Sequence, residues 1–418
     1  MKALPITDFT GGNPTMITKR KILLLSAVII IAIVSLALYF ILFKRSVYDG
    51  DFSYTYMGYG FSSQGVILQP NTGDNKSGYL HFIDLKSGYD IPLCTIPNCR
   101  HNNDDCFAHV LADPANSYQN ILIYDTKLYY TQTRSEFQGG DITYHLDIYE
   151  STLQGDKISK LATFDGYSAA DSVYIQNGYL FAAMSKDEVN VQNDNILSQA
   201  QKFYSMGVVN LVNKKSFQTP EKKGFNCVML LLGSYKEAFY YEFVSTDAQE
   251  NVNSKLNIYE YNYKLNNEKI WDDEYRSIDG NDFIYFKIVD NRMIILKPSV
   301  SFDQYTVSSV NLSNHSKAGL GSFEYGASWG FSPYIMGDKI FINLYSSDGM
   351  TALSNCYYDL VTKQKETVTG FTEYSIVNRI KDILILYDEK NGQYAAITVN
   401  DYADSNKEGL TVIRQPVY

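Results

Sequence analysis

Beyond residue 51 the chain is a succession of short apolar or aromatic runs, taken in pairs and separated by polar turns of two or three residues. The clearest pair is Ile121-Leu122-Ile123-Tyr124 and Leu128-Tyr129-Tyr130, on either side of Asp125-Thr126-Lys127. Val173-Tyr174-Ile175 turns at Asn177-Gly178 into Tyr179-Leu180-Phe181, and Met229 to Leu232 turns through Lys236-Glu237 into Ala238-Phe239-Tyr240-Tyr241. Phe283 to Val289 returns as Met293 to Leu296, and Tyr334-Ile335-Met336 returns as Ile340-Phe341-Ile342. Runs this short, bounded by Asn, Asp, Gly and Lys, predict strands joined as hairpins. A helical turn or two is expected only near residues 192 to 203.

The returning strands begin near 128, 179, 238, 293, 340 and 383, a step of about 51 residues. After each comes a second pair, at Leu146 to Tyr149, Phe203 to Leu211, Leu256 to Tyr261, Tyr305 to Leu312, Cys356 to Leu360 and Gln393 to Val399. Four strands in roughly 40 to 50 residues is the signature of a propeller blade. An earlier copy fits Val66-Ile67-Leu68, Tyr79 to Leu85 and Ile91 to Leu93. The expected fold class is therefore all-β, a β-propeller of about seven blades over residues 52–418, with six or eight as the margin. Phe52 to Tyr56 is expected to close the ring beside the last copy. An irregular sandwich is the competing arrangement.

A different pattern precedes the repeats. Residues 22 to 43 form an uncharged run of 22, which as a helix reaches roughly 33 Å against a hydrocarbon core of about 30 Å. Sixteen of them are Leu, Ile, Val or Phe, favouring insertion by roughly 5 to 10 kcal/mol. Lys2, Lys19, Arg20 and Lys21 precede the run, and Lys44 and Arg45 follow it with Asp49 and Asp51 just beyond, a balance that places the N-terminus inside. The run is too long for a cleaved signal peptide, and no small-residue cleavage site follows it. One transmembrane helix is thus expected before the propeller: a cytoplasmic tail over 1–18, a signal-anchor with basic flanks over 19–45 and a linker over 46–51. The rest would lie outside the cell membrane.

Composition sharpens this reading at two points. The 36 tyrosines and 22 phenylalanines, against two tryptophans, suit pleated strands whose hydroxyls reach water. Residues 1 to 45 hold six basic residues and one acid, so the remaining 30 bases and 45 acids leave the outer part at −15. Such a surface repels phosphate backbones, and no nucleic-acid partner is expected.

Candidate chemistry concentrates between Pro92 and Cys106, where Cys94, Cys99, His101 and Cys106 fall within thirteen positions. Three sulfurs and one imidazole are the donor set of a closed structural zinc site. The spacing is that of no common zinc finger, and Cys99-Arg100-His101 is tight enough to need a turn, which Pro97 and Asn98 can supply. A disulfide between Cys106 and Cys94 or Cys99 is a second reading, and reduced, unligated thiols a third. Cys227 and Cys356 read as buried strand residues. Elsewhere there is no His-Glu-x-x-His or phosphate-binding loop, while Gly326-Ala327-Ser328-Trp329-Gly330 has the spacing of a Gly-x-Ser-x-Gly string. Gly58-Tyr59-Gly60 reads as a bend before a strand, and the clusters Asp272 to Glu274 and Asp401 to Asp404 as solvated turns. Trp329, flanked by Gly326 and Gly330, is the candidate ligand-binding aromatic, with burial between blades as its alternative.

The string Pro-Leu-Cys-x-x-Pro-x-Cys-x-His-x-x-x-x-Cys-x-Ala, from Pro92 to Ala108, resembles the motif of a group of tyrosine-rich, extracytoplasmic, β-propeller-like proteins of Gram-positive bacteria. The resemblance continues as a loose strand pattern over most of residues 60 to 400. It implies a propeller outside the membrane and brings no reaction with it. The sequence favours a membrane-anchored module that binds or scaffolds an envelope protein, peptide or glycan. The alternative is an extracytoplasmic hydrolase or lyase whose active site is assembled from several blades at the mouth; a purely structural subunit of a membrane complex is a third reading.

Overall fold

The computed structural model describes residues 53 to 413, apart from 57–58, 63–64, 69–77, 102–105, 111–118, 188–200, 247–253, 280–282, 325–332, 346–351 and the single positions 86, 95, 140, 154, 156, 302, 381, 389 and 392. The expected tail, anchor and linker, Phe52 and residues 192–200 of the helical turn expected over 192–203 lie outside the described residues, while Lys202 and Phe203 at its end are strand. Among the described residues no helix is long and apolar enough to cross a membrane.

The chain folds as antiparallel strands in sequence-consecutive meanders of four. Gln119–Tyr124, Lys127–Gln138, Asp141–Thr152 and Ser159–Asp165 make one such sheet. Others run from Tyr285–Val289 to Lys317–Glu324, from Pro333–Met336 to Gln364–Val368, and from Tyr374–Ile380 to Thr411–Ile413. Three further meanders are strung along one longer sheet: Tyr59–Phe61 to Asp90–Pro92, Ala169–Gln176 to Ser216–Gln218, and Lys222–Tyr235 to Asn267–Ile270. The groups are named below by their spans, 59–92, 119–165, 169–218, 222–270, 285–324, 333–368 and 374–413.

The turns that the sequence marks are hairpin turns in the backbone. Asn177 and Gly178 both take positive φ, 53° and 77°, the geometry whose twist matches the flanking strands. Asp125, Lys236, Asp290 and Gly337 take positive φ at the equivalent bends.

The cores lie between groups, which is why the strands read as continuous apolar runs instead of alternating ones. Leu122 faces Val173, Ile175 and Leu180 of group 169–218, while Ile121 and Ile123, one residue to either side, pack on Ile67, Leu80 and Leu93 of the first group. The same division recurs down the chain: Phe181 and Met206 meet Met229 and Phe239, Ile258 meets Phe286 and Met293, Leu296 meets Ile340, and Phe341 meets Leu384. A last core joins the chain's two ends, Val66, Ile83 and Leu85 of group 59–92 against Ile385, Ala396 and Ile413 of group 374–413. Gly60 allows the first group to approach the second, since a Cβ there would fall 1.8 Å from the carbonyl oxygen of Ile121.

Three expectations need correction. Ser53–Tyr56 does not join the last copy; it pairs with Tyr59–Phe61 on one side and with Ala169–Gln176 on the other, and the last sheet takes all four strands from the C-terminal end. Among the described residues the two ends meet through side-chain packing and no strand of one is paired with a strand of the other. Tyr79 leaves the run expected to continue to Leu85 and pairs with His109 in a separate two-stranded ladder. The cluster Asp272 to Glu274 is a solvated turn as expected, a 3₁₀ turn over Asp273–Tyr275 capped by Asp272, but Asp401 to Asp404 is not a bare turn, since Asp401 lies in the short helix Val399–Ala403 capped by Thr398.

Candidate metal centre

The excursion after Asp90–Pro92 carries the four candidate ligands. Its two ends are tied to the first sheet: the amide of Leu93 donates to the Leu80 carbonyl, and the amide of Leu80 donates to the Ala108 carbonyl, at 2.8 and 2.7 Å. Cys94 stands just past the strand and Cys106 just before His109–Val110. Cys106, Phe107 and Ala108 are buried in the core shared with Ile121, Ile123, Leu128 and Tyr130 of the next group. Phe107 fits beneath Gly155 of that group, where a Cβ would meet its ring at 2.0 Å. The ligand-bearing loop is therefore the joint between two sheets.

A turn at Pro97-Asn98 brings Cys99 and His101 back over Cys94 and Cys106, the turn the tight spacing required. Asn98 sits at φ 58° and His101 at φ 53°. Asn and His are among the non-glycine residues that enter the left-handed region most readily, which suits both positions to the tight turn. The amide of His101 points at Cys99 Sγ, 3.4 Å away, and its Nδ1 lies 3.3 Å from Cys106 Sγ. One donor atom from each of Cys94, Cys99, His101 and Cys106 lies within 4.8 Å of all the others. A tetrahedral ion with bonds of about 2.3 Å to sulfur and 2.0 Å to nitrogen spaces its donors about 3.5 to 3.8 Å apart. The four side chains thus need shifts of only about an ångström to hold a metal ion such as zinc.

The electrostatics differ between the thiols. The His101 amide, with help from Cys106 and Cys94, pulls the Cys99 thiol below its ordinary value. Burial pushes the Cys106 thiol up to about 12, a cost that a bound cation removes by stabilising the thiolate. All five cysteines are free thiols, and Cys227 and Cys356 are buried strand residues, as expected.

Tyr79, which the sequence did not single out, makes a tilted ring contact with His101, centroids 5.5 Å apart, and stacks on His81 at 4.4 Å. His81 in turn holds Asp90 through Nδ1 at 2.8 Å. The only signal in the sequence was the alternation Tyr79-x-His81, although Tyr79 lies in the ladder with His109–Val110 and His81 in the first sheet. A second network escaped notice because its members are spread over three strands: the Asp147 carboxylate, fully buried, accepts from Arg134 Nε at 2.5 Å, Lys160 Nζ at 3.1 Å, Thr163 Oγ1 at 2.6 Å and Tyr149 at 3.1 Å. It pins the group 119–165. Trp329 lies outside the described residues.

No family model matches this chain, and no curated protein matches it either. Solved structures resemble it in strand layout at low identity. Acylaminoacyl peptidase of Pyrococcus horikoshii aligns at TM-score 0.48 and 10% identity over 87% of this chain and 52% of its own, so this chain spans about half that protein. Oligogalacturonate lyase of Vibrio parahaemolyticus aligns at 0.46 and 7% over 83% and 96%, and the β-propeller domain of the trilobed protease of Pyrococcus furiosus at 0.43 and 10% over 72% and 85%. None of these activities passes to this chain on that basis.

Proposed function

We propose that this protein is a membrane-anchored, extracytoplasmic binding or scaffolding module, built as a seven-bladed β-propeller with a zinc clamp between its first two blades. The single observation that carries the non-catalytic reading is the make-up of the centre: three sulfurs and one imidazole within 4.8 Å, all from one loop. Four protein donors fill a tetrahedral ion, which leaves no position for water or substrate and is the pattern of a structural site. The burial of Cys106 and Phe107 in the joint between groups supports the same role.

The propeller reading is supported by the succession of four-strand meanders and by cores that join each group to the next and the last to the first. The anchor reading rests on the apolar run 22–43 and its basic flanks. A rigid ring on a tether suits capture of an envelope protein, peptide or glycan by loops at one mouth. The test is to present the full chain, held in lipid nanodiscs, to envelope extracts and glycan arrays while assaying turnover of the same material. Stable, saturable capture without turnover is expected; turnover without capture favours the hydrolase or lyase and overturns this reading.

A further inference from the structure

The face that group 222–270 turns toward group 285–324 carries a row unlike its neighbours. Leu230 stands opposite Glu242, and Glu242 opposite Ile258, so the three side chains share one face across three strands. The adjoining row is Val228, Val244 and Leu256. Ile258 and Leu256 are buried in the core with Phe286 and Ile288, whereas Leu230 and Val228 on the first strand remain 38% and 46% exposed. Glu242, half-buried, sits where the dry core gives way to open apolar surface.

Neighbouring carboxylates are all compensated. Glu260 pairs with Lys269 at 3.3 Å, and Glu268 takes both Lys222 and the Tyr241 hydroxyl. Among the described residues no such partner reaches Glu242; burial alone acts on it, pushing its carboxyl up to about 7. The phenol of Tyr174, on Ala169–Gln176 of the preceding group, feels its charge. An uncompensated carboxyl beside exposed leucine and valine lacks a cation with an apolar stem.

We propose that Glu242, Leu230 and Val228 form a receptor for an alkylammonium group, the charged head on the Glu242 carboxylate and the aliphatic stem along Leu230 and Val228. The net charge of −15 outside residues 1–45 draws such cations toward the domain. The ligand is a lysine side chain of a peptide or a free aliphatic diamine, which share this chemistry. This names a ligand class for the binding module proposed above and rests on that reading. The two fail separately, because the probe below is a small amine and reports on the Glu242 site alone.

The experiment is calorimetric titration of the full chain in nanodiscs with n-pentylammonium chloride, and with n-pentanol as the uncharged analogue. Saturable binding of the amine is expected, weakened about tenfold or more by Glu242→Gln and about threefold by Leu230→Ala, with unchanged near-ultraviolet circular dichroism in both variants. N-acetyl-lysine methylamide binding more tightly than cadaverine assigns the peptide source, and the reverse order assigns the diamine. Absence of amine binding to the wild type, undiminished binding to Glu242→Gln, or equal binding of n-pentanol overturns the proposal.

Discussion

At the scale of single residues, most of the chemistry in the centre was legible because it is local. Cys94, Cys99, His101 and Cys106 sit on one loop, and the need for a turn at Pro97-Asn98 follows from spacing alone. Tyr79 and the Asp147 network were not legible, since the ring contact with His101 depends on a two-stranded ladder and Asp147 collects partners from other strands. Replacing Cys99 with Ser is expected to lower the bound zinc from about one ion per chain to well below that, measured by elemental analysis, and to lower the thermal midpoint by several degrees. Asp147→Asn is expected to cost about 1 to 3 kcal/mol at neutral pH in urea unfolding, a figure held down by the partial exposure of Arg134 and Lys160. Burial raises the Asp147 carboxyl, but Arg134, Thr163 and Lys160 together hold it below its ordinary 3.8. Its contribution is therefore complete above that value and lost as pH falls through the lower, folded one, so wild type and Asp147→Asn are expected to converge in stability as the solution is acidified.

At the scale of elements, the strand pairs and their turns were readable because turn residues and apolar runs are short-range signals. Asn177-Gly178 and Asp125 announce their hairpins without help from the rest of the chain. What sequence spacing did not carry was which strands pair across long distances. Ser53–Tyr56 has backbone partners more than 100 residues away, in Ala169–Gln176, and no local pattern distinguishes that edge from the last one. The joint between first and last groups consequently depends on side chains such as Ile385, 3% exposed among Val66, Ile83 and Ile413. Ile385→Ala is expected to destabilise by about 2 to 5 kcal/mol in urea unfolding. Ile142→Ala, at the tip of the hairpin formed by Lys127–Gln138 and Asp141–Thr152, where Ile142 is 54% exposed, is expected to stay within about 0.5 kcal/mol of wild type. Equal effects of the two would remove the packed joint as the ring's closure.

At the scale of the whole molecule, the repeat period carried the all-β class, because each meander buries both faces only by stacking on its neighbours and so must recur. External protease added to intact spheroplasts is expected to degrade the chain beyond residue 46 while sparing an N-terminal tag; the opposite protection would reverse the proposed orientation. The proposed clamp joins these scales, since the loop that carries its four side chains packs between two sheets. Elemental analysis of the purified full chain, with thiol titration before and after chelation, tests it most directly. The expected result is about one zinc per chain, with Cys94, Cys99 and Cys106 protected until the metal is removed and all five thiols counted after denaturation. No bound metal together with two thiols missing from the denatured count would contradict it and establish a disulfide instead.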